Sequence, residues 1–224
     1  MSINKVGVML QMMDLKQVYE EFDKHLMEDD VPSRYFDAML KQGLFYKVYP
    51  FTMLGELTKT PQQVEHHPEG DVWKHTMLVI DKAAMHRIES GNPRIFMWAA
   101  LLHDLGKPET TKTRKGKITS YDHDKLGEKL AVKFLTPLTE DKEFINGVAK
   151  MVRWHMQTLF VVKDMGFADV NTMLQQVKLE EIALLSLCDR LGRGKMTVEK
   201  EAHERGNIEK FIQKSLEKSN KAVK

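Results

Sequence analysis

The sequence is poor in the features that assign a chain to a class most quickly. It holds one cysteine, Cys188, so an intramolecular disulfide is excluded, a reducing compartment fits, and a bound metal is expected to rest on nitrogen and oxygen ligands. No apolar run approaches the roughly 18 residues that cross a bilayer, and no membrane association is expected. Residues 1–14 carry no convincing small-residue cleavage site, and a cytoplasmic protein is expected. Charge of one sign is lacking too: 34 lysines and arginines face 32 aspartates and glutamates, for a formal net charge of +2. A global preference for nucleic acid or membrane surface is therefore missing, and any basic surface is local. There is no internal repeat and no low-complexity stretch.

What is present is an ordinary globular composition, 42% hydrophobic and 29% charged over 224 residues, enough for one well-filled domain with a smaller helical appendage. Residues 15–27 predict a short charged helix, and Pro32 at a first-turn position opens a second, with Phe36, Met39 and Leu40 on one face and Gly43 as its stop. Residues 46–63 mix apolar side chains with Pro50, Gly55 and Pro61 and predict a loop with at most one helical turn. A stronger helix follows Asp71, its N-cap, and sets His75, Leu78, Val79 and Ala83 on one face. Asn92 and Pro93, a cap and a first-turn proline, start the helix that carries Phe96, Met97, Ala100 and Leu101 into His103 and Asp104 and ends at Gly106. Residues 107–121, lysine-rich around Gly116, predict an exposed loop or hairpin. Helices are expected over 122–135, 143–154 and 182–191, with a loop over 161–169. The tail, 197–224, predicts a charged helix with a thin stripe of Val198, Ala202, Ile208, Phe211, Ile212 and Leu216. About seven helices and few strand signals give an all-α fold. It divides into an N-terminal helical segment 1–63, a core 64–195 and a C-terminal amphipathic helix 196–224.

Chemistry concentrates in isolated polar groups within or at the ends of these apolar helices: His75, then His103 with Asp104, then His123, His155 and Asp189. An ionised carboxylate beside a histidine at the end of a buried run costs several kcal/mol unless a cation compensates. Six nitrogen and oxygen ligands exceed one closed zinc site and suit two cations sharing Asp104. Imidazole with carboxylate accommodates manganese, iron, cobalt, nickel or zinc, and magnesium is admitted at a carboxylate-rich position.

The order H…HD…H…H…D resembles the HD-domain superfamily of metal-dependent phosphohydrolases. That resemblance implies a first metal on His75, His103, Asp104 and Asp189, and in binuclear members a second on His123 and His155. Further stretches, residues 66–71, 72–76, 100–107 and 189–193, are similar to the C-terminal HD region of bacterial tRNA nucleotidyltransferases, the CCA-adding enzymes. The polymerising head is not matched. It needs a Gly-Ser turn followed by an alternating acidic pair on a strand, and the one comparable stretch, Asp122-His123-Asp124, has no such turn upstream. The resemblance thus implies an HD-fold helical bundle hydrolysing a nucleotide-like phosphomonoester or 2′,3′-cyclic phosphodiester with metal-activated water. Asp104 would orient that water, and Lys107 would meet a substrate phosphate. The alternative is a non-catalytic HD-type module that binds tRNA or other RNA and keeps metal for stability.

Each residue also has a plainer reading. His66, His67 and Glu69 line a pocket or form an ordinary turn entry. His86 lies too far along its helix from His75 to join the site, and Lys24, His25 and His203 read as solvated. Cys188 reads as a small core residue, and Trp98 and Trp154 as packing. The basic cluster Lys112, Arg114, Lys115 and Lys117 is a solvated loop or a surface that steers phosphates or RNA. Oligomeric state is left open.

Overall fold

In the computed structural model the described residues are 14–222, with side chains as far as Ser219; the leader reading of residues 1–13 lies outside them. Helix α1 (Leu15–Glu28) starts at Asp14, whose carboxylate accepts from the Lys16 N–H, and buries Val18, Tyr19, Phe22 and Leu26 at helical spacing. Helix α2 (Ser33–Gln42) is fixed at its start by Asp81, which accepts from Ser33 N and Oγ at 3.0 and 2.7 Å, and stops at Gly43 with φ 84°.

The segment expected to be a loop with at most one turn is instead two short helices, α3 (Leu44–Lys47) and α4 (Thr52–Gly55), the second running into a 3₁₀ turn, Glu56–Lys59. Phe51, Leu54 and Leu57 are fully buried there. Proline and glycine break this stretch into single turns without removing its apolar spacing. Gly55 is required by a close approach, since a Cβ would lie 2.0 Å from the Phe45 carbonyl oxygen.

Helix α5 (Val72–His86) is capped by Asp71, which accepts from Lys74 N at 2.9 Å. His75, Val79 and Ala83 are buried as expected, but Leu78 is 39% exposed: buried positions 75, 79 and 83 define a stripe whose edge excludes it. Helix α6 (Pro93–Leu102), capped by Asn92, is the centre of the molecule. All seven residues from Phe96 to Leu102 are buried, as a helix apolar on every side requires, and it packs against α1 and α5 as well as the later helices of the bundle. It ends at Leu102 rather than at Gly106. His103 and Asp104 sit in the turn that follows, and Gly106 opens a short helix, α7 (Lys107–Thr110). Gly106 has an ordinary φ, and its role is proximity: a Cβ would meet the His123 carbonyl oxygen at 2.1 Å.

The expected hairpin forms as β1 (Thr111–Arg114) and β2 (Lys117–Ser120), antiparallel with Thr111 opposite Ser120. Its turn, Lys115 and Gly116, has φ of 49° and 75°, the two positive values of a type I′ turn. It is the one sheet among the described residues, so the all-α class stands. Then come α8 (His123–Leu135), α9 (Lys142–Trp154), α10 (Gln157–Val162), α11 (Val170–Leu174), α12 (Leu179–Leu191) and α13 (Val198–Ala222). The loop expected from 161 starts after Val162. Helix α13 lies on α10, α11 and α12. Its buried stripe is Ile208, Phe211 and Ser215, whereas Val198, Ala202 and Leu216 face solvent. The mismatch has a polar cause: Glu204, one turn before Ile208, pairs with Arg190 of α12 and sets the face that α13 presents. One continuous hydrophobic cluster runs from Val18 to Phe211.

Candidate metal centre

The fold brings all six residues of the histidine and aspartate pattern together around the turn after α6. His75 comes from the first turns of α5, His103 and Asp104 from that turn, His123 from the first residue of α8, His155 from the residue after α9, and Asp189 from the last turn of α12. Every one but Asp189 is nearly or fully buried. Among these six, two triplets have ligand atoms within 4.8 Å of one another, His75, His103 and Asp189, and Asp104, His123 and His155; a third, His67, Glu69 and His75, adjoins the first through His75. Asp104 faces both. Its Oδ2 is 3.2 Å from His103 Nε2 and 3.9 Å from His75 Nε2, and its Oδ1 is 3.5 Å from His123 Nε2 and 3.9 Å from His155 Nε2.

Three of the histidines are set in one tautomer by one device. His103 Nδ1 is 2.8 Å from Ala100 O, His123 Nδ1 is 2.6 Å from Ser120 O and His155 Nδ1 is 2.7 Å from Val152 O, each the carbonyl three residues back. A carbonyl oxygen only accepts, so each Nδ1 carries the proton and each Nε2, in the neutral ring, presents a lone pair. Those lone pairs converge. His103 Nε2 is buried with no hydrogen-bond partner, and the Nε2 atoms of His123 and His155 face each other at 3.2 Å. Burial holds both of the latter rings down at about 4, outweighing the attraction of Asp104, so neither is protonated near neutral pH. Two buried lone pairs pointing at each other are unfavourable alone and favourable around a cation.

His75 is in a different state. Its Nε2 is 2.9 Å from Asp189 Oδ1 and its Nδ1 is 3.0 Å from Glu69 Oε1. Burial alone would lower its pKa, but bonds to the two carboxylates raise it. The Nδ1 contact is off the line of a good hydrogen bond, and that atom counts as unpartnered. Glu69 is itself a junction: its Oε1 also meets His67 Nδ1 at 2.9 Å, and its Oε2 accepts from Gly194 N at 3.0 Å. Despite burial, these bonds keep Glu69 well below the usual carboxylate range. Asp104 and Asp189 are likewise depressed against burial, Asp104 by His103 and Lys107 and Asp189 by His75.

Lys107 is buried, not part of an exposed loop. Its ammonium lies 2.7 Å from Asp104 Oδ2 and donates to Gln62 Oε1 at 2.7 Å. Gln62 has no sequence signal, because it falls at the end of the stretch that reads as a loop; Glu69 is visible only as one side of an even choice. His86 pairs with Glu89, outside the site. His25 is not freely solvated: it stacks on Tyr35 at 3.7 Å and bonds Asp29 at 2.8 Å, because α2 closes over α1 there. His203 is exposed. Cys188 is fully buried, and burial pushes its thiol up. Trp98 and Trp154 pack in the core and donate to Asp23 and Gln176.

The same region is the part of the chain that known proteins share. The sequence profile describing the HD domain matches residues 72–194. Among curated proteins, the Multifunctional CCA protein of Actinobacillus pleuropneumoniae serotype 5b is 37% identical over 97 residues, 43% of this chain and 23% of that protein. The Multifunctional CCA proteins of Cupriavidus necator and Chromobacterium violaceum are 39% and 40% identical over 95 residues, 42% of this chain in each case and 21% and 22% of theirs. The chain thus spans little more than a fifth of the length of the curated relatives it matches. The profile covers more than half of the chain, beginning with the helix that bears His75 and ending three residues past the helix that bears Asp189, and the chain belongs to the HD domain family.

Proposed function

We propose that the protein is a metal-dependent phosphohydrolase that cleaves a nucleotide-like phosphomonoester or 2′,3′-cyclic phosphodiester with water as the nucleophile. The observation that carries this reading is the convergence of buried Nε2 lone pairs on the two oxygens of Asp104. The ligand set fits two divalent cations: His75, His103 and Asp189 with Asp104 would hold one, and His123 and His155 with Asp104 would hold the other. When bound, such cations supply Lewis-acid charge to phosphate oxygens and bring the pKa of water towards neutrality.

The chain's own residues do the rest. The i−3 carbonyls fix the orientation of three imidazoles and put the Nδ1 proton on the side away from Asp104. Gln62 holds the Lys107 ammonium beside Asp104, where it offers a point charge to a substrate phosphate. No side-chain nucleophile is needed, and Cys188 next to Asp189 faces the core. The family supports hydrolase chemistry. CCA addition is not proposed, since the match to the CCA proteins covers only this region.

The test is metal analysis by plasma mass spectrometry beside a screen of 2′,3′-cyclic nucleotides, nucleoside monophosphates and a generic phosphodiester with added manganese or nickel. Close to two metals per chain with hydrolysis is expected. Close to one confines the reading to a single triplet. No metal and no hydrolysis after reconstitution overturns it in favour of a helical module that binds RNA.

A further inference from the structure

The hairpin between Asp104 and His123 carries a charge that the proposed chemistry leaves unused. From Thr111 to Tyr121 there are four cations and no acid, in a chain whose net charge is only +2. Among the described residues no carboxylate lies within 4 Å of Lys112, Arg114, Lys115 or Lys117, whereas Lys107, Lys125 and Lys150 are paired. Arg114 stands directly opposite Lys117 across the ladder, and Lys112 is two residues from Arg114, so these three project from one face. Like charges directly opposed weaken a hairpin unless a polyanion lies over them.

The hairpin is rooted in the site at both ends. β1 follows α7, whose first residue is Lys107, and β2 ends at Ser120, whose carbonyl fixes His123. Its middle is tied to the strip that carries Gln62, because Ile118 N donates to Gln63 Oε1 at 3.1 Å. The four-residue strands project by only about 13 Å, so a chain lying along the charged face can end at the metal centre. One aromatic ring completes the surface. Tyr121 is 64% exposed and carries the Arg114 guanidinium 4.7 Å from its ring centroid. Cations in line with a stacking ring are what single-stranded nucleic acid requires.

We infer that the substrate is the end of a single-stranded polynucleotide rather than a free mononucleotide, with Lys112, Arg114 and Lys117 on its phosphodiester backbone and Tyr121 under a base. This rests on the phosphohydrolase reading for the chemistry at the chain end, but binding is independent of it.

The experiment is fluorescence anisotropy of the full chain, in EDTA, with a labelled single-stranded RNA dodecamer ending in a 2′,3′-cyclic phosphate, titrated at several salt concentrations. Each phosphate contact contributes about 0.7 to the slope of log affinity against log salt. Lys112→Gln/Arg114→Gln/Lys117→Gln should lower that slope by about 2. Tyr121→Ala should weaken binding by about fivefold or more at an unchanged slope. Thermal melts of both variants confirm folding, which these exposed positions should preserve. Equal affinity and slope in the triple variant and the parent would overturn the inference. So would displacement by polyglutamate as effective as by unlabelled RNA of equal charge, which would point to an acidic protein. Hairpin-dependent RNA binding with no hydrolysis under any metal would keep the hairpin as an RNA-binding surface but remove the phosphohydrolase reading and the substrate role with it; mononucleotide hydrolysis with hairpin-independent binding would keep the phosphohydrolase reading and overturn the inference.

Discussion

The two triplets of the metal centre use the same residue types, yet their surroundings push His75 in one direction and His123 and His155 in the other. In the first, His75 lies between Asp189 and Glu69, and these carboxylates raise its pKa against burial, favouring a proton where a cation would otherwise balance them. In the second, His123 and His155 are held at about 4 by burial and share only Asp104 Oδ1, at 3.5 and 3.9 Å. The number of carboxylates within reach makes the difference. The carboxylates around His75 favour a proton that competes with a metal in the first half, whereas burial in the second favours neutral rings whose lone pairs are free for one.

The change that breaks the comparison outright is Asp104→Asn, because each oxygen of Asp104 serves one half. Both metals should be lost and kcat should fall by at least about 10²–10³, the scale for removing one group that stabilises charge in a transition state. Metal content and turnover measured on one preparation check it. Normal turnover would mean that the two halves do not share this ligand.

Acid should separate the halves in the metal-free protein. His123 and His155 titrate near 4 when folded and near 6.5 when unfolded. Between those values the unfolded chain binds more protons, so stability falls as the pH drops from about 6.5 to 4, by about 3 kcal/mol for each histidine as an order of magnitude. His67, also held near 4 by burial, adds in the same direction. His75 acts oppositely: its contribution is complete below its unfolded value and is lost as the pH rises through its raised folded value. Urea melts of EDTA-treated protein across this range should show the loss, and His123→Gln/His155→Gln should make it clearly shallower. An unchanged acid limb would show that these rings are not held neutral.

Most of this centre is legible in the sequence because its residues interrupt apolar helices: His75, His103, Asp104, His123, His155 and Asp189 are polar where the helical pattern wants an apolar side chain or a cap. Glu69 and Gln62 interrupt nothing. They lie in a stretch without periodicity, and their importance arises from partners far along the chain: Gly194 is 125 positions from Glu69, and Lys107 is 45 from Gln62. Gly106 is visible as a required glycine but not for its reason, which is the approach of the α8 backbone rather than the end of a helix. The short buried helices around Phe51 are hidden by Pro50 and Gly55, whose local signal outweighs a burial that only the aromatic cluster around Phe22 reveals.

Glu69→Gln sharpens the comparison from the first half alone. An amide keeps the shape but removes the charge that holds His75, so metal affinity at the first triplet should fall by about 10–100-fold, the usual range for a group behind a ligand. Calorimetric metal titration in two buffers of different ionisation enthalpy should also show less proton release than the parent. An equal loss at both triplets would mean that Glu69 acts on the fold rather than on His75.

The smallest effect comes from the second half. Asp124, next to His123, pairs with Arg153, two residues before His155, and so clasps the start of α8 to the end of α9 where the two lone pairs meet. Arg153 is also held over Trp154, 4.3 Å from its ring centroid, and lies near Glu128, so the guanidinium has other partners when the carboxylate is neutralised. Asp124→Asn should therefore cost only about 1 kcal/mol, a drop in Tm of roughly 2–4 °C for a chain of this size. The second triplet should lose metal affinity while the first keeps it. Because the amide oxygen would still accept one hydrogen bond, a loss confined to stability, with both affinities unchanged, would show that the clasp supports the helices and that the i−3 carbonyls alone orient the histidines.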